Sequence, residues 1–170
     1  RFFSNRPRVR HTMSGEGLFV PCRTAEVREA LEASDLKPGE TFLDLGSGDG
    51  RAVFVAAAMG AAGIGVEADP ALHRRALDAM AAARESGVNL GTNFIAEDFL
   101  DCSFSESDII FYYAGGNTRR QPEIYSRLES EMKPGARLIV YRTDRIPALA
   151  LDPVPSSRPP RFHIFLKPAR

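Results

Sequence analysis

The hydrophobic positions fall in short compact runs separated by longer amphipathic stretches, an alternation that predicts strands interleaved with helices. From Thr24 to Ala33, T-A-E-V-R-E-A-L-E-A sets Ala25, Val27, Ala30 and Leu31 near one face, with Thr24 as the expected N-cap of a short helix. Lys37, Pro38 and Gly39 form a turn before Thr41–Leu45, a run suited to a buried strand. Gly46–Gly50 is a glycine loop, and Arg51–Met59 an apolar, alanine-rich helix closed by Gly60. The alternation repeats with a strand over Ala62–Glu67. A helix follows, with Asp69 as N-cap and Pro70 in its first position, reaching to about Ser86.

Further strands are expected over Asn93–Ala96 and Asp108–Tyr113, then a helix over Pro122–Met132 stopped by Pro134 and Gly135, then a strand over Arg137–Thr143. The prolines at 147, 153, 155, 159 and 160 leave no room for a full helix. Ala148–Leu151 is expected as a brief edge strand, and Phe162–Lys167, which alternates Phe162, Ile164 and Leu166 against His163, Phe165 and Lys167, as the last. These elements predict an α/β fold: a doubly wound, Rossmann-like sheet of seven strands, mostly parallel, with an antiparallel edge.

At 170 residues the chain has the size of one domain, expected over residues 16–170 behind a basic arm at 1–15 that holds Arg1, Arg6, Arg8 and Arg10 and no acid. Such an arm has the look of an organellar transit remnant, although a solvated extension or a start before Met13 explains it as well. Lys+Arg and Asp+Glu are both 22, so no overall basic field favours a nucleic-acid partner. No apolar run reaches the ~18 residues of a spanning helix, and no membrane partner is expected. Cys22 and Cys102 match no zinc or redox spacing, and no metal site is expected. Free thiols in a reducing compartment, with a cytoplasmic location and a monomeric state, are the expectation.

The segment F-L-D-L-G-S-G-D-G-R, Phe42–Arg51, carries the chemistry. The dinucleotide fingerprint is G-x-G-x-x-G; here Gly46, Gly48 and Gly50 give G-x-G-x-G, with Asp44 two residues before the first glycine. A carboxylate beside a bare-backbone loop repels a pyrophosphate and suits a ligand with a cationic amino-acid moiety. S-adenosylmethionine is such a ligand; the bland alternative is a glycine loop that only turns the chain from strand to helix. Glu67 ends the second strand 17 residues after Gly50, where doubly wound folds place an acid on ribose hydroxyls. Asp98, in I-A-E-D-F, can accept from an adenine amino group or be an ordinary loop acid.

At these residues the sequence resembles class I S-adenosylmethionine-dependent methyltransferases. F-V-P-C-R-T-A-E-V, D-L-G-S-G-D-G-R and F-H-I-F-L-K are similar to a branch of small protein-lysine methyltransferases of archaea and their mitochondrial relatives. The resemblance implies that Asp44, Gly46, Ser47, Gly48 and Gly50 cradle the methionine portion, Glu67 the ribose, and Asp98 with Phe99 the adenine. By the same resemblance Phe19, Val20 and Pro21 are expected to close over the cofactor. The stretch Phe111–Thr118, F-Y-Y-A-G-G-N-T, corresponds by that resemblance to the position where the family's substrate meets the methyl group, and Gly115 and Gly116 depart from the more apolar turn of that branch. The stretch holds no N-P-P-Y or D-P-P-Y for base methylation, no cysteine nucleophile, and no carboxylate cluster for a metal.

Methyl transfer to a neutral amine needs positioning more than a general base. Tyr112 and Tyr113 are the candidate catalytic residues, because a ring face attracts a cation and a phenol oxygen orients an amine. Strand alternation points them to opposite faces, so one of them is expected in the site, and core packing is the competing reading for both. His163 reads as a satisfied or surface histidine, and Arg119 and Arg120 as a charged helix start. The implied substrate is a protein lysine or a small-molecule amine; a cofactor-binding module without turnover is the reading from outside enzymology.

Overall fold

The computed structural model describes residues 12–14, 17–115, 119–143, 148–159 and 161–169. Two short antiparallel strands, β1 (Thr12–Ser14) and β2 (Gly17–Phe19), precede α1 (Thr24–Ala33). Then come β3 (Thr41–Leu45), α2 (Arg51–Ala58), β4 (Ala62–Val66), α3 (Pro70–Glu85), β5 (Thr92–Ile95), a 3₁₀ turn (Phe99–Asp101), β6 (Ile109–Tyr113), α4 (Gln121–Glu131), β7 (Arg137–Tyr141), β8 (Asp152–Pro153) and β9 (Phe162–Leu166). The arm expected at 1–15 lies outside the described residues except for β1, and so do Gly116, Asn117 and Thr118.

Seven strands form one sheet in the order β5-β4-β3-β6-β7-β9-β8. β3 to β7 are mutually parallel, and β9 runs antiparallel to both β7 and β8. The chain winds outward from β3 through β4 to β5 and then returns to β6 on the other side of β3. This reversal opens a crevice at the carboxyl ends of β3 and β6, where doubly wound folds bind ligands.

Period-2 alternation divides the core between the two faces of the sheet. Phe42, Phe111, Ile139 and Tyr141 pack with Val27 and Leu31 of α1 and Val53 and Phe54 of α2. Leu43, Ile110, Leu138 and Val140 pack on the other face with Ile124 and Leu128 of α4. Gly63 and Gly65 let α2 and the glycine loop press on β4: a Cβ at Gly63 would stand 2.8 Å from a Val53 methyl, and one at Gly65 2.7 Å from the Ser47 hydroxyl. Among the described residues no helix is long and apolar enough to cross a membrane.

The expected elements are present with three adjustments. Thr24 opens α1, while Arg23 holds the N-cap position without a side-chain cap bond. Its own amide donates to the distant Tyr141 hydroxyl at 3.3 Å, a tertiary contact at the start of the helix. The edge strand lies at Asp152–Pro153 rather than Ala148–Leu151, because Leu151 is buried in the α4-side core and Pro153 is tolerated on an outermost strand. β7 stops at Tyr141, since Arg142 turns into the left-handed region at φ 57°. Asp69 caps α3 as expected, accepting from the Ala71 and Leu72 amides at 2.9 and 3.0 Å.

Candidate functional site

A cleft of about 290 Å³ opens at the carboxyl ends of β3, β4 and β6. Asp44, Gly46 and Ser47 come to it from the end of β3 and its loop, Glu67 from the end of β4, and Asp98 and Phe99 from the turn after β5. Phe19, Val20 and Pro21 line it from the segment that runs from β2 to α1, and Tyr112 and Tyr113 from the end of β6. The sequence thus spread these eleven positions over nearly a hundred residues, and the sheet brings them together. Gly48 and Gly50 are not among the lining residues.

Those two glycines shape the loop instead. Gly48 sits at φ 57°, and a Cβ there would lie 2.3 Å from the Phe19 ring, so only a glycine lets Phe19 rest against the loop. Gly50 is the N-cap of α2 at φ 80°, and a Cβ there would strike Phe94 at 2.6 Å. The Gly48 amide donates to Glu67 Oε2 at 2.7 Å, and the Asp69 amide to Glu67 Oε1 at 2.8 Å, which fixes the Glu67 carboxylate between loop and helix with lone pairs left on both oxygens.

Charge is concentrated on this side. Asp44 is 4% exposed, and among the described residues its carboxylate has no hydrogen-bond partner. Burial, with Glu67 and Asp49 close by, pushes its pKa well above the ordinary carboxylate range. Burial also raises Glu67, against the opposing pull of its backbone amide bonds. The Ser47 hydroxyl is likewise buried and without a partner. A cleft that holds an unpaired buried carboxylate, an unpaired hydroxyl and a second raised acid lacks a cation and hydrogen-bonding groups. A sulfonium-bearing amino-acid nucleoside fits that need: Asp44 would face its cationic portion, Glu67 has acceptor capacity for a pair of hydroxyls, and the Gly48 cradle admits a close backbone approach.

On the aromatic side, Tyr112 is 4% exposed, edge-on to Tyr125 with ring centres 5.9 Å apart and 6.4 Å from Phe99. Tyr113 is half-buried and lies 5.5 Å from the Tyr141 ring. A Cβ on Gly115 would meet the Tyr113 ring and hydroxyl at 2.9 Å, so the small residue makes room for Tyr113 to fold over the turn. The two tyrosines do join opposite faces of the sheet, yet both line the cleft, because β6 ends there and its last side chains need not pass through a neighbouring strand. Burial raises both phenols above their ordinary value, which keeps them protonated at neutral pH.

Several lining residues carried no signal in the sequence. Arg120 is an ion-pair partner of Asp98, with Nη1 2.6 Å from Oδ2, and its guanidinium lies 5.8 Å from the centre of the Phe99 ring. Burial raises the Asp98 pKa, but the bonds from Arg120 and the Leu100 amide outweigh it and hold the carboxyl below the usual range. Arg51 clamps Asp49 through two hydrogen bonds and donates to the Cys22 carbonyl at 3.3 Å. Cys22 lines the cleft, and it and Cys102 are both free thiols. His163 meets the Thr143 carbonyl at 3.2 Å, a satisfied histidine away from the cleft. Among the described residues no group of three or more His, Cys, Asp or Glu side chains is placed to hold a metal.

Residues 44–145 match the sequence model of the ANTKMT methyltransferase domain. A lysine N-methyltransferase of Xenopus laevis, named for a component of the ATP synthase, is 31% identical over 124 residues, 73% of this chain and 52% of that protein. A protein-lysine N-methyltransferase of Saccharolobus islandicus is 28% identical over 125 residues, 72% of this chain and 74% of that one. The chain spans about half the length of the vertebrate relatives it matches. Among solved structures, an RNA methyltransferase of Salinibacter ruber in complex with S-adenosyl-L-homocysteine superimposes with a TM-score of 0.65 at 26% identity, covering 89% of this chain and 95% of that one. A putative methyltransferase of Escherichia coli, at 16% identity and a TM-score of 0.66, shares the fold over 85% of this chain and 86% of its own.

Proposed function

We propose that this chain, which belongs to the ANTKMT methyltransferase domain family, transfers methyl groups to the side-chain amine of protein lysines. Its cofactor is S-adenosylmethionine. The observation that carries the reading is the buried, unpaired Asp44 carboxylate in a cleft that Tyr112 and Tyr113 also line. The relatives from Xenopus laevis and Saccharolobus islandicus are lysine methyltransferases by name, which supports lysine over other amines.

Bound S-adenosylmethionine supplies an electrophilic methyl group on a sulfonium whose thioether departs. The chain's residues bind and orient. Asp44 offsets positive charge in a region of low dielectric, where that interaction is stronger than in water. Glu67, held by the Gly48 and Asp69 amides, presents a fixed acceptor pair, and Phe99 with Asp98 forms the third wall. Phe19, Val20 and Pro21 exclude water from the same side. Tyr113 offers a ring face and a neutral phenol to an incoming amine, and Tyr112 supports the wall from the core. Neither phenol serves as a base, so the amine arrives uncharged and its surplus proton leaves to solvent.

A nucleic-acid substrate, as the name of the Salinibacter ruber protein has it, finds no support in a chain with 22 basic and 22 acidic residues. The two free thiols support a reducing compartment such as the cytoplasm. Among the described residues the large exposed hydrophobics are only Val88 and Leu166, which supports a monomer. The experiment is incubation with methyl-labelled S-adenosylmethionine and a mixed protein extract, with mass-spectrometric mapping of the label. Label on lysine Nζ is expected. Label confined to small amines would move the substrate to a metabolite, and cofactor binding with no labelled product at all would make the chain a binding module.

A further inference from the structure

The wall formed by Phe19 to Cys22 has no regular secondary structure beyond its first residue, yet it borders the cleft along its length, so something outside the wall must hold it. Phe19 leans on the glycine loop and Arg51 holds the Cys22 carbonyl. The next residue, Arg23, donates its amide to the Tyr141 hydroxyl at 3.3 Å, and that hydroxyl in turn donates to Glu26 Oε2. Glu26 is 5% exposed, and one nitrogen of Arg142, Nη2, donates to both of its carboxylate oxygens at 2.8 and 2.6 Å. Arg23 and Arg161 lie 3.7 and 3.8 Å from the same carboxylate, so Glu26 is held in place by cations and presents Oε2 to the hydroxyl as a fixed acceptor.

The same tyrosine reaches the acceptor side of the cleft. Its ring, on the last residue of β7, lies 5.5 Å from Tyr113 and 5.6 Å from Phe111. Resting on the cofactor reading above, we infer that Tyr141 is a positioning residue that couples the two sides of the site: its hydroxyl, oriented by Glu26 and Arg142, fixes the wall over the cofactor, and its ring sets the place of Tyr113. Tyr141 lies outside the cleft lining and acts through its neighbours.

The two functions separate by substitution. Tyr141→Phe keeps the ring and removes the hydroxyl; the dissociation constant for S-adenosylmethionine rises about tenfold, as for the loss of a hydrogen bond to a charged network. Hydrogen exchange speeds up in the peptide spanning residues 19–23 while β3 and β6 keep their protection. Glu26→Gln, which retains an acceptor for the hydroxyl, gives a smaller change of the same kind. Tyr141→Leu removes the ring as well and lowers the rate of transfer at saturating cofactor in addition. The inference is overturned if Tyr141→Phe binds the cofactor as the wild type does, or if its exchange rises evenly over the whole sheet, the mark of a general loss of stability. Wild-type protein that fails to bind S-adenosylmethionine overturns the cofactor reading itself, and the exchange pattern, read without any ligand, then still decides whether Tyr141 holds the wall.

Discussion

On the β3–β4 side of the cleft the chain buries charge, and on the β6–β7 side it buries rings. Asp44 and Glu67 stand at strand ends with raised pKa values, and Asp44 has no counter-ion among the described residues. Tyr113 instead packs on Tyr141 and Tyr141 on Phe111, while on the other face of the sheet Tyr112 packs against Phe99 and Tyr125. The charged side is held in a costly state that a cationic ligand relieves; the aromatic side is already content as a core. Ligand binding is therefore expected to change the energetics of the first side far more than the second.

The largest effect belongs to Asp44. Asp44→Asn removes the buried charge and is expected to weaken S-adenosylmethionine binding by roughly 100-fold, since a desolvated charge partner is lost. The same change is expected to raise Tm by on the order of 2–4 °C, because the free protein no longer ionises a carboxyl without a partner. Calorimetric titration and a thermal melt check both, and a fall in Tm would refute the costly state. Gly48→Ala comes next: its Cβ meets Phe19 and its φ is left-handed, so about 1–3 kcal/mol of stability is expected to go, together with roughly tenfold in cofactor affinity as Phe19 is displaced. Denaturant unfolding and the same titration measure it.

On the aromatic side the effects should be smaller and of another kind. Tyr113→Phe is expected to leave cofactor affinity nearly constant and to lower the rate at saturating cofactor by roughly tenfold, the signature of an interaction with the acceptor. Steady-state kinetics on a labelled protein substrate would show it, and a matching loss of cofactor affinity would merge the two sides into one. The smallest change is expected for Arg120→Ala. It frees Asp98 from a partly exposed ion pair, worth less than about 1 kcal/mol, so that affinity moves by a few-fold at most and its salt dependence flattens. Titration at two ionic strengths checks it.

The same contrast governs what can be read from the sequence. Asp44 and the three alternate glycines were legible because a backbone that must approach a cationic ligand tolerates few residue types, and because Gly48 and Gly50 occupy conformations that other residues resist. The strands and α3 were legible from periodicity and from Asp69–Pro70. Tyr112 and Tyr113 were ambiguous because an aromatic at a strand end looks the same whether it packs or binds, and here it packs while lining the cleft. The Asp98–Arg120 and Glu26–Tyr141 pairs join residues 22 and 115 apart, and no local spacing announces a contact made across the sheet. Ala148–Leu151 was misplaced for a related reason, since the burial of Leu151 against the α4-side core is a tertiary contact, and Thr24 proved to be the first residue of α1 rather than its cap.

The most direct test of the buried-charge site is a calorimetric titration with S-adenosylmethionine over a range of pH in buffers of different ionisation heat. The free Asp44 carboxyl has a raised pKa, and a cationic ligand lowers it. Saturable binding is therefore expected to weaken as pH falls through that raised pKa, with a proton released per ligand bound below it; Glu67, raised as well, acts in the same direction. Binding whose affinity and heat are indifferent to pH and buffer, or no binding, would contradict a site built on Asp44.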